Sequence, residues 1–186
     1  MPITRRAFLT EVVWSSMGTS LVLLAGCQRK TAERAAPDDV RGYFTADEKA
    51  TLAAACERIL PRDHDPGAID LGVPDYIDRA LVAAVMTKWR APLRKGLADL
   101  DSRARTRTGM AFAAAGTPAQ EEILAEVQAE SRRRTGFFRR LVHLTLEGAF
   151  GDPRHGGNKG GAGWRLIGFT PSPLAPQGLA QLRGRG

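Results

Sequence analysis

The residue types that most often perform catalysis or bind metals are few in this chain and lie far apart. Its three histidines, His64, His143 and His155, occupy separate segments and form no H-E-x-x-H zinc motif. No G-x-S-x-G sequence provides the exposed serine nucleophile of a hydrolase. We expect His143 to be a core or interface histidine on an apolar helix, and we assign no catalytic residue and no metal ligand.

Two further patterns resemble ligand sites only weakly. Asp63, Asp65 and Asp70 lie near a glycine as in a calcium loop, but Pro66 falls among the ligand positions and no bidentate glutamate follows at the required distance. A loop that caps the following helix is the favoured interpretation. The glycine-rich run at 156–163 follows a helical pattern rather than a strand and contains no G-x-G-x-x-G, so we expect no FAD or NAD on this chain.

Covalent haem and iron-sulfur clusters require cysteine motifs that this chain lacks. There is no C-x-x-C-H, and Cys27 and Cys56 are the only two cysteines. Cys56 lies within an apolar helical pattern, which favours a buried and unreactive thiol. We therefore expect no disulfide and no redox centre of these kinds on this chain.

The first 27 residues have the pattern of a bacterial export signal. The apolar stretch from Val12 to Leu24 is interrupted by serine, threonine and glycine and is shorter than the roughly 20 apolar residues that span a bilayer. The residues that characterise the preceding twin-arginine signal are Arg5, Arg6, Phe8 and Leu9. The small residues before Cys27 form a lipobox-like site, so we predict a signal peptide over residues 1–26 and a lipid on Cys27. Cleavage nearby without lipid remains the alternative.

These features predict a protein on the periplasmic side of a bacterial membrane, exported by the twin-arginine translocase and held by a lipid anchor. A polar stretch over residues 27–42 would connect that anchor to a folded domain. Thr45 followed by Glu48 forms a capping box that begins the first helix of the domain. The inward face of this helix, which ends at Pro61, is formed by Leu52, Cys56, Ile59 and Leu60.

Helical periodicity continues along most of the remaining chain. A second helix is predicted to begin at Pro74 and to be interrupted by Pro92; its inward residues are Ile77, Leu81, Val85 and Trp89. A third helix ends before Gly109 and presents Leu93, Leu97, Leu100 and Ala104. Thr117 begins a further helical pattern that extends to Phe150, and a break at Thr135 and Gly136 is left open.

No segment alternates with period two for long enough to predict a strand. The chain has 186 residues, of which 43% are hydrophobic, a length that suits one compact domain. We therefore predict an all-α protein: a single helical bundle domain over residues 43–169 that ends in an irregular segment rich in glycine and proline, with a tail over 170–186. The apolar residues of that segment must pack either on the bundle or on a partner.

The formal net charge of +7 does not by itself identify a partner. Arginines cluster at positions 103, 105 and 107, at 132–134, and at 139 and 140. Because we expect the protein outside the cytoplasm, an anionic membrane or an acidic protein surface is a better match for these clusters than nucleic acid. We predict no nucleic-acid binding.

Several stretches of the chain resemble one protein family, the small subunit of gluconate 2-dehydrogenase. The most specific stretches are L-E-G-A-F-G-D-P-R-H-G-G-N at 146–158 and G-W-R-L-I-G-F at 163–169. Earlier stretches that match are 44–61, 66–68, 72–78 and 96–101. The resemblance covers most of residues 43–169. His155 stands where the family commonly has tyrosine, and Gly160, Gly161 and Ala162 replace a stretch that is usually more charged and apolar.

The resemblance implies a non-catalytic accessory subunit of a membrane-associated dehydrogenase complex for a sugar, sugar acid or alcohol. Its partners would be a large FAD-dependent subunit of the glucose-methanol-choline class and a c-type cytochrome that carries haem. The small subunit would provide the export signal and the membrane anchor for the flavoprotein. A free-standing envelope lipoprotein that acts as a binding or structural module is the alternative.

The resemblance also directs attention to the C-terminal stretch as the docking surface for the large subunit. The expected partner-binding residues are Phe150, Asp152, Pro153, His155, Gly156, Gly157, Asn158, Gly163, Trp164 and Gly168. Trp164 is the expected anchor, because buried tryptophans contribute disproportionately to protein interfaces.

Overall fold

The computed structural model describes residues 42–131 and 136–171. Those residues contain no β-strand and form six α-helices: α1 Ala46–Ile59, α2 Val73–Ala80, α3 Thr87–Thr108, α4 Thr117–Ser131, α5 Phe137–Phe150 and α6 Ala162–Leu166. The predicted all-α fold is confirmed. The predicted signal peptide, Cys27, nearly all of the tether and most of the tail lie outside the described residues.

Helix α1 is the central element of the bundle, because it packs on α2, α3, α4 and α5. Its capping box forms as predicted: the Thr45 side chain accepts from the Glu48 amide, and Glu48 accepts from the Thr45 amide at 2.9 Å. Leu52, Cys56 and Leu60 are buried, while Ile59 is half-buried. The core that surrounds them is continuous through all five long helices.

The predicted buried thiol is confirmed. Cys56 is completely buried, and burial raises the pKa of its thiol to about 12. The Thr145 hydroxyl lies 3.4 Å from the Cys56 sulfur and donates to the Leu141 carbonyl at 2.8 Å. This contact fastens α5 to α1 at the centre of the core.

Two carboxylates close the loop between α1 and α2. Glu57 accepts from the Arg62 amide at 2.9 Å and from the Ile69 amide at 3.0 Å. Asp70 pairs with the Arg62 guanidinium and accepts from the Gly67 amide at 3.0 Å. The N-cap of α2 is a glycine with positive φ and no side chain caps the helix; the loop contributes backbone instead, as the Ala68 carbonyl accepts from the Val73 amide at 3.0 Å.

The prediction of one helix from residue 74 to residue 89 is wrong. Helix α2 ends at Ala80, residues 81–86 form a tight connection, and α3 begins at Thr87. Of the four residues predicted to face inward, Ile77 and Leu81 are buried, Trp89 is half-buried, and Val85 is 78% exposed. The connection is held by Arg90, which donates to the carbonyls of Leu81 and Val82 at 2.7 Å each. Apolar periodicity alone carries no information about that tertiary contact.

Pro92 does not interrupt a helix, because α3, which is 22 residues long, continues past it to Thr108. It lies in the second turn, where proline removes only one backbone hydrogen bond. The inward positions Leu93, Leu97, Leu100 and Ala104 are buried as predicted, and Gly109 ends the helix with φ of 75°. Arg103 and Arg107 connect α3 to α4 through Glu126, and Arg103 also contacts Glu130.

A break separates the last two long helices. Helix α4 ends at Ser131 and α5 begins at Phe137; residues 132–135 lie outside the described chain. Close packing orients the start of α5, since Gly96 of α3 has no side chain and the Phe137 ring occupies that space. Among the described residues, no helix is long and apolar enough to cross a membrane.

Candidate functional site

The C-terminal segment, residues 151–169, packs on the C-terminal end of α5. The last carbonyl groups of a helix have no partner within the helix and must find one elsewhere. Here the Gly151 amide donates to the Glu147 carbonyl at 2.8 Å, and the Asn158 amide donates to the Gly148 carbonyl at 2.7 Å. The Trp164 indole N–H donates to the Phe150 carbonyl at 2.7 Å. The segment therefore completes the hydrogen bonding of α5.

Asn158 connects the two halves of the C-terminal segment. Its side chain is fully buried, donates to the Gly151 carbonyl at 2.8 Å and accepts from the Gly163 amide at 2.8 Å. Its backbone is left-handed, with φ of 45°, a conformation that asparagine tolerates better than most residues. Because the buried side-chain amide pairs through both its N–H group and its oxygen, it holds the segment in a single arrangement.

Two glycines of the segment are required by close contact with the α5 backbone. A Cβ atom on Gly157 would lie 2.2 Å from the Gly148 carbonyl oxygen, and one on Gly163 would lie 1.9 Å from the Ala149 carbonyl oxygen. Any side chain at either position would push the segment away from the helix. These glycines serve backbone packing, a different role from the phosphate binding of nucleotide-site glycines.

The segment also contacts α2. The Lys159 amide donates to the Leu71 carbonyl at 3.1 Å, and the Lys159 ammonium lies 3.6 Å from Asp75. Arg79 donates to the Gly156 carbonyl at 2.8 Å. The segment is thus fixed against two helices rather than one.

A pocket of about 220 Å³ opens between α2, the end of α5 and the segment. Its side chains are Tyr76, Glu147, Asp152 and His155, and glycine backbone completes the wall. Burial raises the pKa of the Tyr76 hydroxyl above its usual range, and the adjacent Glu147 carboxylate adds to this effect. Tyr76 therefore remains a protonated hydrogen-bond donor at neutral pH and is unsuited to act as a base.

Asp152 forms one wall of the pocket and is held by Arg154. Hydrogen bonds from the Arg154 side chain and from its amide lower the pKa of Asp152 to about 2. The pocket thus combines a neutral phenol, two carboxylates and the imidazole of His155. These groups can hydrogen-bond a polar or cationic group of a binding partner.

The aromatic edge of the segment is formed by Trp164, Ile167 and Phe169. The Trp164 and Phe169 rings meet edge to face, with 5.2 Å between their centroids. Trp164 is half-buried, whereas Ile167 is 48% exposed and Phe169 is 49% exposed. Trp164 orders the edge through its bond to α5, and the other two residues present the accessible apolar surface.

The residues predicted to bind a partner do converge, but they occupy different depths. Gly157, Asn158 and Gly163 are buried within the chain, where they position the segment. The residues with half-buried or exposed positions are Phe150, Asp152, Pro153, His155, Gly156, Trp164 and Gly168. Their role in partner binding stays a prediction.

The sequence did not single out Tyr76 or Glu147 as site residues, and it indicated Ile167 and Phe169 only as members of the C-terminal stretch expected to dock. All four lie within the stretches that carry the family resemblance, at 72–78, 146–158 and 163–169. The signal was therefore present, but the contact between the first stretch and the others is a property of the folded chain. The position of Gly148 against the Tyr76 ring is one such contact.

The remaining histidines lie outside this site. The side chain of His143 is 65% exposed and lies 3.8 Å from Glu147, so it is not a core histidine, and the alternative of an interface position stays a prediction. Asp63, His64 and Asp65 are close neighbours in the loop before α2, with potential ligand atoms within 4.8 Å of one another. They belong to the loop closed by Glu57 and Asp70 and take no part in the pocket.

These features define a small all-α protein, whose C-terminal segment completes a helix and presents an aromatic edge beside a polar pocket. The family model for gluconate 2-dehydrogenase subunit 3 matches residues 46–171, and the chain belongs to this family. Membership indicates an accessory subunit of a dehydrogenase complex. No curated protein and no solved structure matches the chain.

Replacing Gly163 with alanine should displace the C-terminal segment from α5. The new Cβ would overlap the Ala149 carbonyl, and the bond to Asn158 would be lost, so we expect a loss of about 3 kcal/mol in the free energy of unfolding. Gly160→Ala is the matched control: its φ is 61° but nothing lies within 4 Å of the new atom, so it should cost about 1–2 kcal/mol. Urea unfolding and the rate of tryptic cleavage at Arg165 measure both effects. Equal losses would contradict the close packing.

Asp152 should titrate with a pKa of about 2 in the folded protein. Because an unfolded aspartate has a pKa of about 3.9, this pair stabilises the folded chain above about pH 4, and the contribution is lost as the pH falls toward 2. Carboxyl carbon chemical shifts recorded against pH measure the midpoint. Arg154→Gln should raise that midpoint toward the ordinary value, and an unchanged midpoint would show that Arg154 is not the cause.

Proposed function

We propose that this chain is the non-catalytic small subunit of a membrane-associated FAD-dependent dehydrogenase and that it exports, matures and anchors the flavoprotein subunit. The observation that carries this proposal is the aromatic edge beside the pocket, held rigidly on a domain that belongs to the subunit 3 family. An ordered apolar edge next to paired polar groups is the usual anatomy of an interface centre. The large subunit would be of the glucose-methanol-choline class and would oxidise a sugar, a sugar acid or an alcohol.

The docking surface has a defined chemical character. Ile167 and Phe169 offer apolar area, and the neighbouring pocket offers the Tyr76 hydroxyl with the carboxylates of Glu147 and Asp152. A partner that fits would insert a lysine or arginine into the pocket and cover the edge with apolar side chains. Because the segment is already fixed to α2 and α5, little conformational entropy would be lost on association.

The redox groups of the complex would lie on other polypeptides. We assign FAD to the large subunit and haem c to a cytochrome subunit, since this chain has no cysteine motif for haem and no dinucleotide-binding motif. The described residues instead contribute packing and a docking surface. Electrons would pass from the substrate to FAD and then to haem without entering this chain.

Export and attachment complete the proposed role. The twin-arginine route carries folded proteins, so one signal on this subunit would move a flavoprotein that has already received its cofactor. A lipid on Cys27 would then keep the complex near its membrane electron acceptor, because each buried methylene contributes about 0.8 kcal/mol to anchoring.

Removing the exposed part of the aromatic edge should weaken the complex. Ile167→Ala with Phe169→Ala should raise the dissociation constant for the flavoprotein about 10- to 100-fold, because apolar residues at an interface centre contribute most of its energy. Ile69→Ala with Met110→Ala is the matched control, since those side chains are 52% and 46% exposed but lie outside the segment. Co-purification through a tag on this chain provides the measurement. A double variant that retains the flavoprotein as the control does would refute this docking surface.

Changing Arg5 and Arg6 to lysine should leave the dehydrogenase activity in the cytoplasm. The paired arginines are the determinant of the twin-arginine signal, and the flavoprotein would have no other route. Activity measured in cytoplasmic and periplasmic fractions tests this expectation. Arg29→Lys with Arg34→Lys, the same change beyond the signal, is the matched control. Normal external activity would show that the flavoprotein travels independently, as a free-standing lipoprotein role for this chain requires.

A further inference from the structure

A cationic surface with aromatic rings lies at the start of α3 and α5. We call it the basic aromatic face, and its residues are Tyr43, Lys88, Trp89, Arg90, Arg94 and Arg140. The Arg140 guanidinium lies 3.6 Å from the Trp89 ring centroid, and the Lys88 ammonium lies 5.5 Å from it. Arg94 and Arg90 lie 4.4 Å and 5.5 Å from the centroid of Tyr43. The two rings therefore hold four cations, three of them in the first turns of α3 and one in the first turn of α5.

Few carboxylates lie near these cations, and one of them, the buried Asp78, accepts from the Phe44 amide at 2.8 Å and pairs with Lys49. The sequence contains no aspartate or glutamate from residue 79 to residue 98, and none from residue 131 to residue 146. The carboxylate that pairs with this face is Glu48, which lies 2.6 Å from Arg94. Helices α3 and α5 also begin here, so the positive ends of both helix dipoles add to the potential. The face is suited to an anionic surface.

An exposed apolar connection adjoins the basic aromatic face. Val82 is 41% exposed and Val85 is 78% exposed, and the two alanines between them are exposed as well. Arg90 fixes this connection by binding the carbonyls of Leu81 and Val82. A rigid apolar tip surrounded by tryptophan and cations is the arrangement found in proteins that bind the surface of a bilayer.

We propose that the basic aromatic face and the 82–85 tip dock the domain on an anionic lipid bilayer. The tip would enter the boundary between headgroups and acyl chains, Trp89 would lie at headgroup depth, and the cations would bind lipid phosphates. The membrane attachment in the proposed function serves here only to orient the domain. The lipid contact of the basic aromatic face would be additional to the predicted anchor on Cys27.

The position of the chain start supports a lipid rather than a protein occupant. The described chain begins at Gly42, beside Tyr43, whose carbonyl accepts from Arg94 at 3.1 Å. Only 14 residues separate Cys27 from Gly42, so the start of the domain lies within about 50 Å of a lipid on Cys27. A lipid on Cys27 would keep the domain within reach of the bilayer, and the described chain starts beside Tyr43 of the basic aromatic face.

Vesicle binding of the full chain tests the proposal. Cys27→Ser removes any acyl contribution in all samples, and the vesicles contain phosphatidylcholine alone or with phosphatidylglycerol. Each cation near an anionic bilayer contributes about fivefold to partitioning, so Lys88→Gln with Arg140→Gln should bind the anionic vesicles about 30-fold less tightly. Lys159→Gln with Arg165→Gln, an equal charge change on the C-terminal segment, should bind as the parent does. Sedimentation of vesicles at several protein concentrations gives the partition coefficients.

A second arm tests the apolar tip. Val85→Ser should reduce partitioning, whereas Ile69→Ser, which changes a side chain that is 52% exposed in another loop, should not. Equal binding to neutral and anionic vesicles, or equal binding by the face variant and its charge-matched control, would overturn the proposal. Loss of co-purified flavoprotein with unchanged vesicle binding would assign the face to a protein partner and would also overturn it. Vesicle binding without any flavoprotein partner would instead refute the proposed function and leave this inference standing.

Discussion

The backbone carbonyls at the C-terminal end of α5 must be hydrogen-bonded, and this requirement organises the rest of the domain's functional end. The partners come from a segment further along the chain, as the bond from Asn158 to Gly148 and that from Trp164 to Phe150 show. Asn158 then ties the segment to itself. Without this arrangement, neither the pocket beside Tyr76 nor the edge at Phe169 would have a fixed geometry, because both are built on the same segment.

Glycine and aromatic residues therefore have different roles in the C-terminal segment. Gly157 and Gly163 allow the backbone to contact the α5 carbonyls directly, and any side chain there would separate the two. Trp164 uses its ring to order Phe169 and its N–H to cap the helix. A substitution at these buried positions would change partner binding through the shape of the segment, whereas one at Ile167 acts on the exposed surface itself. Binding measurements on the segment need a parallel measurement of stability for this reason.

Local sequence signals were sufficient for elements that depend on neighbouring residues. The capping box of Thr45 and Glu48, the buried stripe of α3 and the terminal Gly109 all follow from short-range patterns, and all are confirmed. The predicted continuation of α2 through Val85 was wrong because the chain ends that helix with contacts from Arg90. The candidate site shows the same limit: its residues were recognisable as a group, but their division into buried supports and exposed contacts depends on the bond network of Asn158.

The two surfaces of the domain lie at opposite ends of α5. The basic aromatic face includes Arg140 in its first turn, and the C-terminal segment covers its last residues. A helix of 14 residues is about 20 Å long, which separates a membrane contact from a protein contact by the thickness of the bundle. A rigid helix between two such surfaces would hold a flavoprotein at a constant height above the bilayer. Under the proposed function, that geometry would give the small subunit a physical role in electron transfer, because the distance from the flavin to a membrane acceptor would depend on it.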